Sequence, residues 1–145
     1  MMPNQQSQVT PTPLSDITLY DIGGTPIAVI DTNHQRGFII FLAIRPYAGK
    51  PVAQISRSSI VYGLNGNQIG VYKKEIFYNS DNTAIGFTAN TFKGNPKPGP
   101  VNFSKFGVPK DYAPNAPGFE REPENPSQND SSLLEVLKSG SIGKL

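Results

Sequence analysis

Up to about residue 90 the apolar positions come in short runs broken by glycine, asparagine and aspartate, and the runs recur in register. The turn dipeptides Gly23-Gly24, Ala48-Gly49, Asn65-Gly66 and Asp81-Asn82 each lie between apolar stretches, and their first residues stand 25, 17 and 16 positions apart. Four residues past these come Ile27, Val52, Ile69 and Ile85, followed at once by Ala28, Ala53, Gly70 and Gly86. Four residues before them stand Leu19, Ile44, Val61 and Phe77, next to Tyr20, Arg45, Tyr62 and Tyr78. Five columns in one register predict four copies of a β-hairpin of about sixteen residues.

Gly-Gly, Asn-Gly and Asp-Asn supply the positive φ of a two-residue hairpin turn, whereas Ala48-Gly49 suits a wider loop. The long first interval places an insertion around residues 32–36 or in the run 38–43. A lone hairpin is marginal in water, so each copy must bury its apolar side chains against the others. The small column Ala28, Ala53, Gly70 and Gly86 then fits a shared axis where backbones approach closely. A ligand-lined pore is the alternative use of those small residues, and packing is the preferred one.

Composition changes sharply beyond the repeats. Eight of the 14 prolines fall between Pro96 and Pro126, where missing amide donors disfavour helix and central strand. The chain of 145 residues therefore divides into a flexible leader 1–16, a four-repeat β domain 17–90, and a Pro-rich extended tail 91–145. Near its end Ser132-Leu133-Leu134-Glu135 has the form of a capping box, and with Val136, Leu137 and Gly140 it predicts a short helix at about 132–138. The fold class is all-β, with four hairpin repeats around a pseudo-four-fold axis.

LYDIGGTPIAVI, YAGKPVAQI, VYGLNGNQIGVY and FYNSDNTAIGF resemble the units of the four-fold β-flower domain family. The resemblance covers residues 17–90 and rests on a Tyr…Gly-x-Pro-Ile/Val-Ala/Gly pattern, in which Gln68 and Ala84 replace the proline of Pro26 and Pro51. It implies hairpin petals around a pseudo-four-fold axis and carries no catalytic residues with it.

Absence narrows the chemistry further. Without cysteine there are no disulfides or thiolate ligands, and a single histidine, His34, argues against imidazole metal or acid-base sites. His34 in DTNHQRG reads as a loop residue, and Asp21, Asp31 and Asp81 read as turn and strand-end residues more than as paired catalytic acids. Gly23-Gly24-Thr25-Pro26 lacks the lysine and helix of a phosphate loop. No cofactor, metal or catalytic residue is therefore expected. Thirteen Lys and Arg against 11 Asp and Glu give a net charge of +2, so nucleic acid is not the expected partner. The longest apolar run, 38–44, is too short to span a bilayer as a helix, and the cytoplasm is the expected compartment.

Two surfaces remain as candidates. Phe103, Phe106, Tyr112 and Phe119 in the tail, with Leu133, Leu134 and Leu137 of the helix, are anchors for a protein partner or a larger assembly. The expected function is a non-enzymatic interaction module acting chiefly through that tail. The competing function is small-ligand or carbohydrate binding, or hydrolysis, at Tyr20, Arg45, Tyr62 and Tyr78, gathered by symmetry at one end of the domain.

Overall fold

The computed structural model describes residues 16–99, 103–109 and 132–142. Eight antiparallel strands follow one another around a closed barrel: β1 (Asp16–Tyr20), β2 (Pro26–His34), β3 (Gly37–Leu42), β4 (Pro51–Ile55), β5 (Ile60–Gly63), β6 (Gln68–Lys73), β7 (Ile76–Tyr78) and β8 (Ala84–Phe87). One helix, α1 (Leu133–Lys138), follows them. Each strand pairs with its sequence neighbours, as an array of consecutive hairpins requires, and β8 returns to β1 through Tyr20 and Phe87.

The four hairpins share one irregularity. Leu19, Ile40, Val61 and Phe77 pair with Ala28, Ala53, Gly70 and Gly86, while the next residues Tyr20, Phe41, Tyr62 and Tyr78 pair with Pro26, Pro51, Gln68 and Ala84. That register leaves Ile27, Val52, Ile69 and Ile85 opposite no residue, each the extra residue of a β-bulge. All four are buried in the core. A bulge bends its strand and steepens the local twist, which lets eight short strands close on themselves.

The repeat turns are wider than two-residue primed turns. Asp21 donates to the carbonyl of Thr25 and accepts from Gly24; Gly63 does the same with Asn67 and Gly66, and Asn79 with Thr83 and Asn82. The left-handed residue falls at the fourth position, Gly24, Gly66 and Asn82, as in a turn followed by a glycine-type bulge. Side chains stiffen all three: Asp21 accepts from the amides of Gly23 and Thr25, Asn79 from those of Asp81 and Thr83, and Asn65 from that of Asn67. The two-residue turn with positive φ at both positions lies between petals, at Lys74 and Glu75.

The second petal is the irregular one, and its extra length is split. Leu42 and Gly49 take the places of Asp21 and Gly24, so six residues, 43–48, stand where the first turn has two. The rest lies in the longer β2 and β3, which meet at the turn between His34 and Gly37.

Inside the barrel, Ile17, Leu19, Ile30, Ile40, Ile55, Val61 and Phe77 pack with the bulge residues. The small column makes room for its large neighbours: a Cβ on Gly86 would lie 2.9 Å from Cβ of Phe77 and 3.1 Å from a methyl of Leu133. Packing, as expected, accounts for these small residues.

Candidate functional site

The expected Tyr20, Arg45, Tyr62 and Tyr78 cluster does not form. Arg45 is exposed within the inserted loop, and its place in the repeat is taken by Phe41. Counting four residues back from Ala48 missed this because residues 43–48 are inserted between the strand and the turn glycine. The aromatic column also points outward. Phe41 packs with Val29 and Ile39 on the outer face, apart from the main core, and the pairings put Tyr62 and Tyr78 on the same face. Tyr20 lies beside Phe92, with ring centroids 6.5 Å apart. The four side chains form a girdle around the barrel rather than one site at its end.

Much of the expected tail is built into the domain. Phe92 sits between Tyr20 and Phe87, and the amide of Lys97 donates to the carbonyl of Gly24. Residues 103–109 cross the outer face of β2 and β3, where Phe103 and Val108 cover Val29, Ile39 and Phe41. Lys105 bridges Asp16 at 3.0 Å and Asp31 at 2.9 Å, with its ammonium 5.5 Å from the Phe41 ring centre. Arg36 donates to the carbonyls of Val108 and Pro109, and Phe106 donates its amide to Gly49. Partial burial favours the neutral Asp31 carboxyl, but the hydrogen bonds from Lys105 and Asn33 outweigh it and hold the carboxyl below its ordinary value. Burial likewise lowers Lys105, while its bonds to Asp31 and Asp16 raise it further and leave it above its ordinary value.

The helix closes the end of the barrel that carries the petal turns. Ser132 caps it by accepting from the amide of Glu135, and Leu133, Val136 and Leu137 are buried in the main core with Leu134 at its edge. Beyond it, Asn65 donates its amide to the carbonyl of Gly140 and its side chain to Ser139. Among the expected partner anchors, Phe103, Leu133 and Leu137 are thus used by the chain itself, because each finds apolar surface within its own reach. Phe106 stays half exposed near Lys50. Tyr112 and Phe119 lie outside the described residues.

The other candidate residues have local work. His34 Nδ1 accepts from the amide of Arg36 at 3.1 Å, and Asp31 accepts from Asn33 while paired with Lys105. Among the described residues no group of His, Asp and Glu could hold a metal ion, and no helix is long and apolar enough to cross a membrane.

Among the described residues, the opposite end of the barrel carries two hollows. A cleft of about 650 Å³ lies between β1, the β6–β7 turn and the chain leaving β8, lined by Asp16, Thr18, Tyr72, Lys74, Glu75 and Asn90 among others. Glu75 shapes one wall, accepting from Thr88 at 2.7 Å and Asn90 at 3.0 Å, bonds that hold its carboxyl below the ordinary value. Tyr72 lines the cleft with its hydroxyl buried and, among the described residues, without a hydrogen-bond partner. A second groove of about 410 Å³ runs along Phe38, Gln54, Ile55 and Arg57, and Phe38 is 46% exposed. Sequence reading missed both. Tyr72 stands two residues past Gly70, so the strand alternation carried the one signal that could have placed it on the inner face.

Searches of curated proteins and of solved structures each returned no match. A family model described as "4-fold beta flower protein" matches residues 17–132, reaching well past the repeats and across the segment that wraps the barrel. Well over half of the chain is matched and four petals with bulges at equivalent positions make up the barrel, so the chain belongs to the 4-fold β-flower family.

Proposed function

We propose that this protein is a non-catalytic interaction module that engages a protein partner through the open end of its barrel. The observation that carries this reading is the division of labour between the two ends. The helix fills one end with Leu133, Val136 and Leu137, whereas the other keeps two clefts and an exposed Phe38 beside Arg57. Concave surface combining apolar, aromatic and polar groups is what binding sites are made of. The C-terminal segments act as staples for the domain, and the partner surface moves from the tail to the barrel.

The test compares capture of native partners by the immobilised full chain and by two variants, read by mass spectrometry. Phe38→Glu is expected to lose partners that Ile142→Ser retains, since Ile142 is exposed near the helix at the far end. Equal capture by both variants, or capture lost only in Ile142→Ser, would refute the reading.

A further inference from the structure

Strand alternation puts Phe38, Ile40 and Leu42 of β3 on one face, and Ile40 and Leu42 lie in the main core. Phe38 is thus the outermost member of an inward column, and its cross-strand partner Ile55 is buried in the same core. At the far end of the barrel Leu133, Val136 and Leu137 cover the core, but at this end Phe38 stays 46% exposed. The groove of about 410 Å³ lies against it, lined by Gly37, Phe38, Gln54, Ile55, Ser56 and Arg57. An apolar group set into that groove would remove water from both surfaces.

The charge of the groove is of one sign. Arg57 is the one charged residue of its lining, and no carboxylate faces it there. Asp16 and Asp31 are engaged with Lys105, Glu75 with Thr88 and Asn90, and Glu135 with Lys138. Among the described residues the exposed Arg57 side chain has neither an ion pair nor a hydrogen-bond partner. Its turn is nevertheless held in place. Ser56 donates its amide to the carbonyl of Ile60 and accepts the Ile60 amide on its hydroxyl, and the Ser59 amide donates back to the Ser56 carbonyl. Gln54 adds a neutral group. Its amide nitrogen donates to the carbonyl of Arg36 at 2.6 Å, an approach left open by Gly37, where a Cβ would lie 2.8 Å from that nitrogen. The Gln54 amide oxygen has no partner among the described residues.

A lone surface arginine is ordinarily a solvated charge. Here it stands on a fixed turn beside uncovered apolar surface, where a carboxylate would meet its planar guanidinium in paired hydrogen bonds with water partly excluded. We propose that this groove binds a segment of a partner protein in which an apolar side chain is flanked by a carboxylate, the apolar group packing on Phe38 and Ile55 and the carboxylate pairing with Arg57. The Gln54 oxygen accepts a backbone N–H of the same segment. The inference rests on the interaction-module reading and names the chemistry of the partner. Apolar contact supplies the affinity, and Arg57 supplies the selection.

The test selects phage-displayed random heptapeptides in parallel on the full chain and on Arg57→Glu, and measures the winners by titration. Peptides from the full chain are expected to share an apolar residue next to Asp or Glu, and to bind Phe38→Ser and Arg57→Glu at least tenfold more weakly. Arg57→Glu is expected to select Lys or Arg in place of the acid. The Arg57 side chain makes no described bond, so its reversal leaves the fold intact. Selection of no peptide, winners without an acidic residue, or winners that bind Arg57→Glu or Phe38→Ser as tightly as the full chain would overturn the proposal. Native partner capture that depends on Phe38 but is unchanged in Arg57→Glu leaves the interaction-module reading standing and removes this one.

Discussion

Gly63 and Gly140 meet backbone to backbone where the C-terminal segment crosses the end of the barrel. A Cβ on Gly140 would lie 2.8 Å from the Gly63 Cα and 2.7 Å from the carbonyl oxygen of Val52. Gly63 holds the turn position that Asp21 and Asn79 hold in other petals, where a side chain stiffens the loop. In the third petal Asn65 takes over that role, its side chain accepting from the amide of Asn67, while its bonds to Ser139 and Gly140 tie the turn to the helix. Loss of repeat symmetry here is the consequence of docking the helix.

Gly63→Ala and Gly140→Ala should therefore each destabilise the protein by about 1–3 kcal/mol, the range of overpacking a filled site. Urea unfolding measures it. Wild-type stability in both variants would show that the two backbones do not need this approach.

The helix is a structural part of the core, not an appendage. Leu137→Ala should cost about 2–5 kcal/mol, as for other fully buried leucines. Removing residues 132–145 should lower the thermal midpoint substantially and expose the inner ends of Ile69 and Val52 to a hydrophobic dye. A truncated protein melting with the full chain would contradict this placement.

Acid should loosen the segment 103–109. The Asp31 carboxyl titrates below its unfolded value, so its pairing with Lys105 stabilises the folded state above the ordinary carboxylate range and is lost as pH falls through the lowered value. Lys105 is raised, so the alkaline limit lies above its ordinary range. Chemical shifts of Phe103 and Val108 followed on acidification should report the release, and Lys105→Gln should remove most of that pH dependence. Identical acid profiles in the two proteins would discount the ion pair.

Asn79 tests the repeat turns. Its side chain accepts two amides at 2.9 Å and is buried, so Asn79→Ala should cost about 1–3 kcal/mol by leaving both donors short of a partner. Asp21→Ala removes the same pattern from a more exposed loop and should cost less. Denaturation of the pair decides it, and equal losses would mean that exposure is not what separates them.

The sequence by itself determined what is local and repeated. Glycine or asparagine is favoured at the left-handed position of the petal turns, as at Gly24, Gly66 and Asn82, and the bulge residues Ile27, Val52, Ile69 and Ile85 are apolar because their side chains enter the core. Both constraints act within a few residues, so they leave a readable period, and the Ser132 cap is equally local. Only the tertiary structure decided which aromatic replaces Arg45, where residues 103–109 lie, and that the leucines of the helix close their own barrel. Those outcomes depend on contacts such as Lys105 with Asp16 or Gly63 with Gly140, made across more than seventy positions of sequence. No pattern in a single chain records them, since an apolar side chain states that it needs a surface but not which one.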